Sequence, residues 1–307
     1  MKLHQFLYPF TKLPNFRGKV RFLIFLYKLL RQKKTHDIFD TKLHRPVPYL
    51  ARLDTHSSHE LMAYMMGGYE QDTVEFLVKL YNEFEGDFFD IGANIGLICI
   101  PFAKLLTKSR YSSLSPNIYA FEAIESNQKT LAYNISINGL ENNIFSVPRA
   151  LGEIQKEVDI QVEGNLKSNE GTGTANIIAS DSDYKCERIK LNITTIDNLI
   201  KLGEILVNCQ LIKIDTDGYD LFILMGAKNL IENSRPIIFG EFMEHCLNWH
   251  GQSVTDVIHY MNKFNYKVYA KIKGKYLFQE KFETKDYVQD LLIVPEEKSL
   301  QLGWCIT

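Results

Sequence analysis

Asp90, Gly92, Asn94 and Gly96 stand in the stretch FDIGANIG, directly after an apolar run, in the pattern D-x-G-x-N-x-G. Glycines at such a turn let a ligand approach the main chain. A carboxylate there repels phosphate. A dinucleotide fingerprint begun at Gly92 needs glycine where Asn94 and Leu97 stand, and a P-loop needs Gly-Lys where Leu97 and Ile98 stand. Both patterns fail, so the favoured ligand is cationic or rich in hydrogen-bond donors. A second carboxylate, Glu122, ends the next apolar run in YAFEA. At the tip of a strand it can accept from both hydroxyls of a ribose. S-adenosylmethionine, with an ammonium, a sulfonium and a ribose, answers to both carboxylates. The cofactor-binding set is therefore Asp90, Gly92, Ala93, Asn94, Gly96, Glu122, Ala123 and Ala150.

These residues need a scaffold that brings strand ends together. From Phe88 onward the chain alternates apolar runs with helical patterns. FFDIGA, NIYAFEA, IFSVPRA, LIKIDTD and PIIFGEF read as strands. IGLICIPFAKLLT, NQKTLAYNISIN (capped by Ser126), LFILMGAKNLIEN and VTDVIHYMNKFN read as helices. YKVYAKI and DLLIVP suggest a closing antiparallel pair around Gly274. Such alternation means a doubly wound, mostly parallel α/β sheet with right-handed crossovers, and ligands outside the carboxyl ends of its strands. Residues 1–70 read as a mainly helical extension, residues 71–299 as the catalytic domain. Within that domain, 151–193 breaks the rhythm with two extra strands, KEVDIQVEG and RIKLNIT. The polar stretch NLKSNEGTGTANIIASDSD between them reads as a loop of the kind that serves as a lid or a substrate loop.

Composition narrows the partners. The chain has 307 residues and a formal net charge of -2, so no global field gathers nucleic acid. The five cysteines are scattered and form no C-x-x-C pair, which argues against a zinc knuckle and for a reducing, cytoplasmic compartment. The segment VRFLIFLYKLLRQKK, residues 20–34, is too short an apolar run to span a bilayer, and no cleavage site follows it. It reads either as an amphipathic helix docked on the main domain or as a basic helix resting on the inner face of an anionic membrane.

The motifs FFDIGANIGL, YAFEAIESNQKTLAYNISIN, TTIDNLI, LIKIDTDGYDLFILMGA, PIIFGEF and YKVY with DLLIVP follow one another at spacings that resemble the FkbM-type S-adenosylmethionine-dependent methyltransferases. The likeness runs from about Gly67 to Glu297. The family more often has Glu where Asp217 stands, and often a second acidic residue near Asp220. The resemblance implies a class I, Rossmann-like fold with a seven-stranded sheet. It also implies methyl transfer to a hydroxyl oxygen, with sugars of glycans, glycolipids or natural products as acceptors.

A hydroxyl is a poor nucleophile, so its proton must be taken or its oxygen polarised. The ends of the fourth and fifth strands supply Asp215, Asp217 and Asp220, and Glu241, Glu244 and His245. The candidate catalytic set is Asp215, Asp217, Glu241 and His245. One arrangement makes a carboxylate or His245 the general base. In the other, Asp215 or Asp217 with Glu241 holds a divalent cation, for which oxygen ligands favour magnesium or manganese; the metal-free arrangement is preferred. Tyr219 and Trp249 are candidates for a sugar-stacking wall. A nucleic-acid or protein methyltransferase is the first alternative, but the N/D-P-P-Y/F amine motif is missing. A catalytically inactive binding module of the same fold is the second.

Overall fold

The computed structural model describes residues 3–13, 18–30, 38–55, 57–108, 116–162, 175–177, 187–280 and 288–306. The chain begins with α1 (Leu3–Thr11) and α2 (Lys19–Leu30), then β1 (Ile38–Leu43), β2 (Tyr49–Asp54) and α3 (Ser58–Met66). Next come α4 (Gln71–Tyr81), β3 (Asp87–Ile91), α5 (Cys99–Lys108), β4 (Ile118–Phe121), α6 (Glu125–Ile137) and β5 (Ile144–Val147). An inserted group follows: β6 (Ala150–Leu151), β7 (Lys156–Val162), β8 (Ala175–Ile177) and β9 (Glu187–Thr194). The remainder comprises α7 (Ile196–Lys201), β10 (Cys209–Ile214), α8 (Asp220–Met225), α9 (Lys228–Ser234), β11 (Ile237–Met243), α10 (Glu244–Asn248), α11 (Val254–Asn262), β12 (Tyr266–Ile272), β13 (Lys275–Phe278) and β14 (Val288–Pro295).

The main sheet has eight strands in the order β13-β12-β14-β11-β10-β3-β4-β5. The run from β11 to β5 is parallel, and β14 lies antiparallel between β11 and β12. The expected seven strands become eight because Gly274 turns β12 back into the short antiparallel β13. All five residues of β3 are buried, as in a central strand covered on both faces. Alternate residues feed two cores. Phe88, Leu211, Phe239 and Leu292 pack with α4, α5 and the N-terminal segment. Phe89, Ile212, Ile238 and Ile293 pack with α7, α8, α9 and α11.

Several local readings are corrected. The first 70 residues hold, beside the helices α1, α2 and α3, one antiparallel hairpin of β1 and β2 that the mainly helical reading did not include, with Phe39 and Leu43 facing inward from one strand and Tyr49, Ala51 and Leu53 from the other. Ser126 is not a cap. Helix α6 begins at Glu125 after Ile124, and the buried Ser126 hydroxyl finds no partner among the described residues. LFILMGAKNLIEN is two helices, because Gly226 packs so tightly on the Gly152 carbonyl that a Cβ there would lie 1.9 Å from it. Helix α5 starts only at Cys99, since Asn94 (φ 50°) and Gly96 (φ 90°) are left-handed, and Pro101 sits in its first turn, where proline is tolerated. KEVDIQVEG and RIKLNIT do form strands, β7 and β9, paired antiparallel. Of the stretch between them only Ala175–Ile177 is described, as the short strand β8, so the lid reading lies outside the described residues.

Candidate active site

A cleft opens at the carboxyl ends of β3, β4 and β10. Gly92, Asn94, Glu122, Ala123 and Ala150 line it, together with Asn127, Arg149, Asp215, Thr216, Asp217 and Tyr219. Its apolar surface comes from Ile91, Phe121 and Ile124 on the main fold and from Val158, Ile160 and Leu191 on the inserted sheet. Asp90, Ala93 and Gly96 are not part of the lining.

Glu122 is held by the main chain. Asn94 N donates to its Oε2 (2.9 Å) and Ile124 N to its Oε1 (2.8 Å). Burial raises its pKa, and these N–H groups pull it back. The side chain borders the cleft, where its oxygens can accept from a ligand as well. The two glycines have protein neighbours rather than open space. A Cβ on Gly92 would lie 2.0 Å from the Asp215 carbonyl, and one on Gly96 would lie 2.8 Å from Ile100 and Leu131. Both have positive φ, 78° and 90°. They let the turn close down on β10 and α6.

Asp90 is wholly buried beneath that turn. It faces Lys213, its direct neighbour across the β3–β10 pairing, with Nζ 3.7 Å from Oδ1. Neither of its oxygens has a hydrogen-bond partner among the described residues. Burial raises its pKa, opposed by Lys213. Lys213 also donates to Asp215 Oδ2 (3.1 Å). Burial alone would depress the lysine, but Asp215, Asp90 and Glu70 outweigh it and hold the ammonium above its ordinary range. A lysine inside the apolar strand LIKID is the sequence signal for this pair, since lysine is almost never fully buried unless matched.

The acceptor-side candidates separate. Glu241, inside β11, is not part of the cleft lining and faces Asp290 across the pairing with β14. Burial, then Asp215, Glu70 and Asp290, push its pKa up to about 7 against the pull of Lys213. Asp215 is partly exposed at the cleft. Asp217 sits in a left-handed turn (φ 51°) and lines the cleft. Asp220 is structural: it accepts from Thr216 N (3.0 Å), Thr216 Oγ1 (2.8 Å) and Gly218 N (3.0 Å), which fixes the turn after β10. Glu244 accepts from Val254 N (2.8 Å) at the start of α11. His245 is exposed on α10, edge-on to the exposed Trp249 at 5.7 Å, and neither lines the cleft. Tyr219 does line it, with its ring edge-on to His250 at 5.4 Å. Among the described residues no three His, Cys, Asp or Glu side chains converge as metal ligands, so Asp215, Asp217 and Glu241 are not assembled into a cation site. Glu70, before α4, completes the charged group around Lys213; nothing in its local sequence marked it.

The residues present fit S-adenosylmethionine. A main-chain-anchored carboxylate at the end of β4 suits a ribose, a partly exposed Asp215 suits an ammonium, and the apolar lining suits a flat base. The sheet order and the cleft at its switch point define a class I methyltransferase fold. The profile described as "Methyltransferase FkbM domain" matches residues 90–268, more than half of the chain, and the chain belongs to that family of S-adenosylmethionine-dependent methyltransferases.

Among solved structures, the chain is similar to a methyltransferase FkbM from Methylobacillus flagellatus KT. That match has 16% identity and TM-score 0.41, covering 76% of this chain and 52% of that one. It is also similar to M. capricolum TrmK in complex with S-adenosyl-homocysteine, at 15% identity and TM-score 0.39, covering 73% and 68% of the two chains. A third is cofactor-bound Rv0187 from MTB, at 11% identity and TM-score 0.41, covering 74% and 81%. The chain thus spans about half the length of the first of these. No curated protein matches significantly.

Proposed function

We propose that this methyltransferase acts on a hydroxyl oxygen, that of a sugar in a glycan, glycolipid or natural product, in the cytoplasm. The observation that carries the reading is Glu241. It is a half-buried carboxylate outside the cleft lining that feels the charge of the cleft residue Asp215, with a pKa raised to about 7. A carboxyl poised near neutrality suits a general base for an alcohol. S-adenosylmethionine, when bound, supplies an electrophilic methyl carbon. Asp215 and Glu122 bind and orient the donor, and Glu241 takes the hydroxyl proton. Lys213 offsets the charge that Asp215 and Glu241 would otherwise concentrate.

The test uses labelled methyl donor with a glycan extract, a protein extract and RNA. Label is expected on glycan as an alkali-stable ether. The rate should rise as pH climbs through about 7, where Glu241 loses its proton. Glu241→Gln should lower kcat about 10²–10⁴-fold with donor affinity nearly unchanged, and should abolish that pH dependence. Label on RNA or protein instead, or full activity in Glu241→Gln, overturns the reading.

A further inference from the structure

The first 36 residues contain nine Lys and Arg and no Asp or Glu. The rest of the chain holds 26 Lys and Arg against 37 Asp and Glu, so the near-neutral total hides a strongly basic segment on an acidic body. Helix α2 lies in that segment. Its inner face is docked by Leu23 and Tyr27, whose hydroxyl donates to Thr55 Oγ1 (2.7 Å). Lys19 ties it to the end of α1, donating to Thr11 O (3.0 Å) and Leu13 O (2.6 Å).

The outer face is apolar. Phe22, Phe25 and Leu29 recur at helical spacing and are 54%, 62% and 66% exposed. Phe10 and Leu13, around the end of α1, are exposed as well. Arg21, next to Phe22 in sequence, and Lys12, next to Leu13, are exposed too. A solvated helix does not ordinarily present two phenylalanines and a leucine in one stripe. The docked inner face accounts for the core contribution of α2, and the outer stripe adds nothing to that core.

We infer that the outer face of α1 and α2 docks on an anionic lipid bilayer. Aromatic and leucine side chains enter the interfacial zone while flanking cations meet lipid phosphates and carboxylates. Neither signal suffices alone; the two together give stable, reversible attachment. The contact is peripheral: α2 is 12 residues long, and no helix among the described residues is long and apolar enough to cross a membrane. A second copy of the chain is a poorer fit, because a symmetric contact would press two basic segments together. RNA is also a poorer fit, because the most exposed side chains in the stripe are apolar.

The experiment measures sedimentation of the full chain with vesicles, without donor or acceptor, so that its failure is separate from any failure of the proposed reaction. Vesicles of phosphatidylcholine with about one third phosphatidylserine are expected to bind, and pure phosphatidylcholine is not. Binding should fall steeply with salt. Phe22→Glu with Phe25→Glu should weaken it by at least about tenfold, while melting temperature and S-adenosylhomocysteine affinity stay as in the parent. If that variant is insoluble, Lys12→Glu with Arg21→Glu should give a several-fold loss and a shallower salt dependence. Unchanged binding in the soluble variants, equal binding to both vesicle types, or no vesicle binding overturns the inference. So does retention on RNA, or a dimer that the variants dissociate, when vesicles are not bound.

Discussion

Glu122 at the end of β4 has both oxygens engaged by main-chain N–H groups, whereas Asp90 and Asp215 at the ends of β3 and β10 both face one ammonium, that of Lys213. Main-chain donors come with the fold and cannot titrate away. A shared cation ties together the charge states of several groups. Lys213, Asp90 and Glu241 occupy alternate positions that put them on the same side of the sheet as Phe88 and Phe239, the side covered by α4, α5 and the N-terminal segment. Glu122 is therefore set by backbone geometry, and the group around Lys213 by a balance of charges.

The sharpest way to break the contrast is Lys213→Met. It strands a buried Asp90 without a cation, and the loss should be about 3–5 kcal/mol in urea denaturation. Adding Asp90→Asn should recover much of it, since the uncompensated charge goes too. Recovery of nothing would mean that Lys213 acts mainly through packing. On the other side, Glu122→Gln places an amide NH2 against a main-chain donor. S-adenosylhomocysteine affinity measured by calorimetry should fall by about 1.5–3 kcal/mol, the range for a hydrogen bond to a charged group. Unchanged affinity would remove Glu122 from the ribose.

The smallest effect concerns stability rather than rate. The folded pKa of Glu241 is raised to about 7, above its unfolded value. Its contribution is thus fully present below the unfolded pKa and is lost as pH rises through about 7. Glu241→Gln lacks that loss. It should be the more stable protein above neutrality, by about 1 kcal/mol after discounting for partial exposure. Parallel stability curves from pH 4 to 8 for the two proteins would contradict the raised pKa.

The order of strands and helices was legible because buried parallel strands are continuous apolar runs, and DFFDI, LIKI and PIIF stand out as such. Glu122 was legible as a strand-tip carboxylate. Asp90 was read as facing ligand because it precedes the glycine turn. In the structure the residue shares its face with Phe88, is wholly buried against Lys213 and is not part of the cleft lining. The hairpin of β1 and β2 carried an alternating signal in YLARLD that the helical reading passed over. The break at Gly226 and the role of Glu70 depend on partners distant in sequence, Gly152 and Lys213, and no local pattern announces either.

The position of β14 has a bearing on how the chain is made. It bonds to β11 on one side and β12 on the other, yet both emerge from the ribosome before it. Until Val288–Pro295 has been synthesised, β11 and β12 each present an unpaired edge with apolar residues such as Phe239, Phe242, Val268 and Tyr269. Open edges of this kind recruit other strands. The nascent protein is therefore most exposed to misassociation late in translation, when almost the whole chain exists and its sheet is still in two pieces.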